Sequence, residues 1–287
     1  MHKLCRYVRF SINPFLPADE PGFNSFASRP AGEGLSVFLE LGVELAGVAD
    51  PATGLIVNVS DIDRMVRECA VPVFADGIRA GYKAARHIGY NELTGFLKSA
   101  WAGLADKFGR AQLSKLSLKL NPFRTLAVDE MGCAMVYFSE KFEFAASHKL
   151  WNEQFDKQQN IKVFGKCANA AGHGHNYVVE VTVRSPAGQA LRSSDFEKVV
   201  HQELIKAVDH KNLNEDVSEF RQTNPTVENI AVFAWNKLVG MFDELTTGRF
   251  GPSTSLPASP DGSGTGKAVL HCVTVWETDK TYSSYYG

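Results

Sequence analysis

At 287 residues the chain is long enough for one large domain or two of ordinary size, each with its own core. Its apolar fraction of 44%, charged fraction of 22% and formal net charge of −2 are those of a folded globular protein, and neither half carries a basic block, which argues against nucleic acid or an anionic membrane as partner. No run approaches the roughly 20 apolar residues of a spanning helix; MHKLCRYVRF lacks the apolar stretch of a signal peptide, and the five cysteines, odd in number and without a CxxC, read as free thiols of a reducing, cytoplasmic compartment.

In chain order, residues 4–12 and 35–45 read as strands, residues 55–59 lead into a helix over 61–69, residues 92–108 read as a helix and 116–120 as a strand. Past a boundary near 129–133 the order recurs. Residues 135–144 (MVYFSEKFEF) alternate apolar and polar side chains, and 177–184 (YVVEVTVR) are rich in β-branched residues, so both predict strands. Residues 195–208 predict a helix with Phe196, Val199, Val200, Leu204 and Val208 on one face and Ser193, Ser194 or Asp195 as its cap. Residues 226–238 predict a second helix, with Pro225 just before it. The Gly/Ser/Pro-rich stretch 246–267 predicts a surface loop, 268–278 a strand, and 281–286 leave room for another.

The halves also share sequence. VFLELGV (37–43) matches YVVEVTV (177–183), Asp61 in SDIDRMV corresponds to Asp195 in SDFEKVV, and Ala100-Trp101 to Ala234-Trp235. This reads as an internal duplication, with units 1–130 and 131–287. The fold class is α+β, antiparallel strands with two helices on one face of each sheet.

His173-Gly174-His175 stands at a strand start, where residues two apart face the same way and can converge on one metal ion. His148, ending FEFAASH, is the candidate third ligand. Three histidines and an open fourth position describe a catalytic rather than a structural zinc site. A bare HxH also occurs as ordinary polar side chains at a strand mouth; its company decides. Cys167 in GKCANAAGHGHNY would have its thiol acidified beside a dication and become a base or nucleophile. Asp209-His210 in VDHKNLN is a carboxylate–imidazole couple suited to proton transfer, or simply a helix C-terminus. Glu277 in VWETDKTY could accept the 2-amino and ring N–H donors of a guanine-like ring, and Glu228 in PTVENIA sits in a first helical turn.

The segments FAASHKL, GKCANAAGHGHNYVVEVTV, VDHKNLN, PTVENIAVFAW and VTVWETDKTYSSYYG, in this order, resemble the 6-pyruvoyl-tetrahydropterin synthase family and its 6-carboxy-tetrahydropterin synthase relatives. The resemblance implies a tunnelling fold whose units join edge to edge as a barrel, in a homo-oligomer such as a trimer or dimer of trimers. It implies Zn2+ on His148, His173 and His175, Cys167 as base with Asp209 and His210 as partners, Glu277 as pterin anchor, and Thr226 and Glu228 in the pterin pocket. The implied reaction converts 7,8-dihydroneopterin triphosphate to 6-pyruvoyl-tetrahydropterin with loss of triphosphate. The alternatives are a sister enzyme forming 6-carboxy-tetrahydropterin or cleaving a dihydropterin side chain, and a zinc- and pterin-binding scaffold without turnover. No GxGxxG marks a redox-cofactor site.

The first half departs from this pattern. At the offset of the shared segments, His173 and His175 fall on Glu33 and Leu35, His148 near Pro14 and Glu277 near Leu120. This half is expected to bind no zinc and to supply barrel strands.

Overall fold

The computed structural model describes residues 1–17, 34–129, 135–187, 192–242 and 268–287. The 246–267 loop and the 130–133 part of the boundary lie outside them. The chain divides into two compact units, Met1–Phe138 with Ser185–Ala190, and Ser139–Arg184 with Leu191–Gly287.

In the first unit four strands pair antiparallel in sequence order: β1 (His2–Ile12), β2 (Val37–Gly47), β3 (Gln112–Lys119) and β4 (Arg124–Asp129). The period of two in a strand sorts the side chains. Val8, Phe10, Ile12, Leu39, Leu41, Val43, Leu116 and Leu118 are buried. On the other face lie cross-strand ion pairs, Lys3–Glu44 at 2.8 Å and Arg9–Glu40 at 2.7 Å. The helices are α1 (Val59–Met65), capped by the Asn58 side chain, α2 (Val71–Lys83) and α3 (Tyr90–Leu104). A π turn, Val66–Ala70, joins α1 to α2. Their apolar stripes bring Ile62, Val66, Phe74, Ile78, Leu97 and Leu104 into the core, with Phe74 5.8 Å from Phe10.

In the second unit the sheet runs β5 (Met135–His148), β6 (His173–Pro186), β8 (Val269–Thr278), β9 (Thr281–Tyr285), with the two-residue β7 (Lys211–Asn212) parallel to β5. Between β5 and β6 lie α4 (Lys157–Phe164) and a 3-10 turn at Gly165–Ala168. After β6, α5 (Ser193–Val200) passes through a second π turn, His201–Ile205, into the short α6 (Lys206–Val208); α7 (Leu213–Asp216) follows β7. Helix α8 (Val227–Leu238) is capped by Thr226, whose hydroxyl accepts the Asn229 N–H at 3.3 Å. Phe196, Val200, Leu204, Ile230, Ala234 and Leu238 of the helices are buried, as are Tyr177, Val179, Val181, Val273 and Val275 of the sheet.

Sequence periodicity recovers most of these elements. It misses α2: the expected helix ends at residue 69, whereas the chain stays helical past Pro72, which occupies the first turn of α2, where its missing N–H costs nothing. It also misses β4, α4 and the short β7 and α7, whose apolar patterns are too brief to show a period. No helix among the described residues is long and apolar enough to cross a membrane.

Candidate functional site

The strand period that builds the second core also builds its polar end. Along β5, Phe144, Ala146 and His148 share the buried face; along β6, Tyr177, His175 and His173 share it; along β8, Val273 and Val275 precede Glu277 on it. The apolar pattern thus gives way to histidine and glutamate at one end of three neighbouring strands. Glu277 falls where the β8–β9 register shifts, between Trp276 and Thr278, an irregularity of the kind that re-aims a side chain.

His148, His173 and His175 converge there, with one ring nitrogen of each within 4.8 Å of the others. His148 is 1% exposed. Its Nδ1 lies 2.8 Å from the Pro225 carbonyl. A carbonyl only accepts, so Nδ1 carries the proton and Nε2 presents a lone pair to the cluster. That Nε2 lies 3.1 Å from His173 Nε2, close to the roughly 3.3 Å between two nitrogens on one tetrahedral zinc. His175 Nε2 and His173 Nδ1 are buried without a hydrogen-bond partner. Burial holds His148 and His175 below the usual imidazole pKa and so neutral, the form that binds metal. The donor set, its spacing and the carbonyl behind His148 fit a zinc ion.

Two groups border the triad. Glu277 Oε1 lies 3.4 Å from His148 Nε2 and 3.5 Å from His175 Nε2. Cys167, on the 3-10 turn after α4, places its sulfur 3.7 Å from His173 Nε2. Burial, with Glu277 adding to it, pushes this thiol up rather than down. The acidified thiol expected from sequence therefore needs a cation beside it. The Tyr177 hydroxyl, 3.4 Å from His148 Nδ1, is held protonated, by burial first and Glu277 second.

Two glycines shape the approach. Gly165 ends α4 at φ +56°, and Gly172 precedes His173 at φ +67°. A Cβ on Gly172 would stand 2.9 Å from the His148 carbonyl oxygen, so both its conformation and its space exclude other residues.

The remaining candidates are placed apart. Asp209 Oδ1 accepts the Ala145 N–H at 3.0 Å and Oδ2 lies 2.9 Å from His210 Nδ1; the Ala145 N–H first, then the imidazole, hold the carboxyl below its usual pKa. His210 adopts φ +56° and donates its N–H to the Ala145 carbonyl. Its side chain is 82% exposed. Ala145 is three residues up β5 from His148, about 10 Å of strand, and no contact joins His210 to Cys167 among the described residues. Thr226 adjoins Pro225 behind His148, and Glu228 is exposed in the first turn of α8. A cavity of about 640 Å³ opens beside His148, lined by Lys149, Trp151, Asn152, Asn214, Arg221 and Asn224 among others. The Pro225 carbonyl and the cavity wall carry no sequence signal, since both arise from backbone folding.

Residues 137–287 match the family model described as 6-pyruvoyl tetrahydropterin synthase. The chain is 39% identical over 108 residues to 6-pyruvoyl tetrahydrobiopterin synthase of Drosophila melanogaster, covering 36% of this chain and 64% of that protein, just under two thirds. It is 35% identical over 153 residues to the Homo sapiens protein of the same name, covering 52% and 90%. A solved Caenorhabditis elegans 6-pyruvoyl tetrahydropterin synthase is 30% identical, with 53% of this chain and 96% of that chain covered at a TM-score of 0.41.

Proposed function

The chain belongs to the 6-pyruvoyl tetrahydropterin synthase family, and from that premise we propose that its second unit converts 7,8-dihydroneopterin triphosphate to 6-pyruvoyl-tetrahydropterin and triphosphate with the help of zinc. The observation that carries this is the convergence of three histidines with the Cys167 thiol 3.7 Å from one of them.

His148, His173 and His175 would hold the zinc. Bound there, it would polarise the side-chain hydroxyls of the substrate and acidify neighbouring groups. Cys167 would take a proton from the substrate side chain. Glu277, at the same end of the sheet, would accept the ring 2-amino and N–H donors, with Thr226 and Glu228 in the pocket wall. The reaction balances internally: the carbinol next to the ring is oxidised to a ketone while the ring C=N is reduced, and triphosphate leaves by elimination. No outside oxidant or reductant is consumed.

Asp209 would orient His210 for proton transfer. Because His210 is exposed and apart from Cys167 of its own chain, it would serve the Cys167 of a neighbouring copy in a homo-oligomer. Among the described residues, β1 pairs with β2 and β9 with β8 and neither has a second partner, and pairing of such edges would close a barrel.

A duplication explains the first unit. Each unit has a π turn directly after the helix that begins near Asp61 or Asp195. Each also has a strand bulge, between Glu44 and Leu45 opposite Ser114, and between Thr182 and Val183 opposite His271. Aligned on the bulge, His173 and His175 correspond to Leu35 and Val37 rather than to Glu33 and Leu35; in both alignments no histidine remains. The first unit would be scaffold.

Incubation with dihydroneopterin triphosphate, with products identified by mass, tests the activity. Triphosphate and the pyruvoyl product are expected; release of acetaldehyde with a carboxy product would assign the sister reaction, and no turnover would leave a scaffold.

A further inference from the structure

The segment that follows His148 leaves the sheet, yet hydrogen bonds hold its backbone at three successive residues. Asn214 grips the Lys149 peptide from both sides: its Oδ1 accepts the Lys149 N–H at 2.7 Å and its Nδ2 donates to the Lys149 carbonyl at 2.9 Å, as a neighbouring strand would. Leu150 N–H reaches the Cys167 carbonyl at 2.8 Å. Trp151 N–H donates to Asn224 Oδ1 at 2.8 Å. Asn224 in turn opens the turn that carries Pro225, and its carbonyl accepts from Asn229 Nδ2 and from the Thr226 N–H, each at 2.8 Å. Pro225 then presents its carbonyl to His148 Nδ1.

We infer that Asn214 and Asn224 are positioning residues that fix the ring and tautomer of His148, Asn214 by clamping the peptide after it and Asn224 by tying that segment to the turn bearing the Pro225 carbonyl. The physical reason is the tautomer. With Nδ1–H bound to Pro225, the Nε2 lone pair faces His173; if the turn drifts, the proton is free to move to Nε2 and blocks that donor. Asn224 uses its side-chain oxygen alone among the described contacts, so an aspartate can replace it. Asn214 uses both ends of its amide, so an aspartate cannot.

This inference rests on the metal role proposed above for His148. The test uses the full chain, metal-free, as wild type, Asn214→Ala, Asn224→Ala and Asn224→Asp. Two quantities are read: the His148 tautomer by long-range proton–nitrogen NMR, and zinc affinity by competition with a chromogenic chelator. Wild type and Asn224→Asp are expected to hold the proton on Nδ1. Both alanine variants are expected to show mixed tautomers and roughly tenfold weaker zinc binding, at the lower end for lost outer-shell support. Alanine variants with the wild-type tautomer and affinity would overturn the inference, as would an Asn224→Asp protein no better than Asn224→Ala. Wild type that takes up no zinc would sink the metal role, while the tautomer comparison would still decide the positioning.

Discussion

Cys167 and His210, expected to act together, stand apart within one chain. The thiol touches the triad, while the imidazole meant to work with it stands exposed on another part of β5's edge. Two consequences follow for single residues. Cys167→Ala and His210→Ala should each lower turnover by about 10²–10⁴-fold, the usual worth of positioned proton transfer, with zinc content unchanged. Mixed and allowed to exchange subunits, the two inactive proteins should regain part of the activity; a mixture as inactive as its parts would place both groups in one chain's site. The Asp209 carboxyl gives a pH signature. Its pKa is lowered in the folded chain, so its contribution to stability is complete above the unfolded value of about 3.9 and fades as pH falls through the folded value. The difference in Tm between wild type and Asp209→Asn should therefore be largest near neutral pH and shrink in acid; a gap that widens in acid contradicts this.

At the scale of elements, the strands that carry the site were legible because their period of two is clean. The strands read at 135–144 and 177–184 lead to His148, His173 and His175, and the HxH spacing puts His173 and His175 on one face; β5 and β6 run on to include all three. Helix α2 was not, because a proline within a helix and a proline in its first turn look alike in sequence. The Pro225 carbonyl and the amide grips of Asn214 and Asn224 were invisible for a different reason: they join parts of the chain 65 to 77 residues apart. Gly172 lies between the two cases. Its place before His173 is plain in the sequence; its positive φ and the carbonyl beside it are not. Gly172→Ala should cost at least about 1 kcal/mol in denaturant unfolding, because a positive φ and a crowded Cβ both oppose it. It should weaken zinc binding as well, since the backbone between His148 and His173 must shift. Wild-type stability in this variant would show that the turn relaxes freely.

For the whole chain, two units of matching element order carry unequal chemistry. In the second, the sheet ends in histidines; in the first, the proposed duplication would set Leu35 and Val37 against His173 and His175, and one face of the sheet carries ion pairs such as Lys3–Glu44 and Arg9–Glu40. On the proposed function each chain holds one zinc-dependent pterin site, in the second unit. The direct measurement is zinc per chain together with triphosphate release from dihydroneopterin triphosphate, in wild type and in His173→Ala. One zinc per wild-type chain, with metal and turnover both lost in a folded His173→Ala protein, is the predicted result. Two zinc ions per chain, or a His173→Ala protein that keeps its metal and its activity, would contradict it.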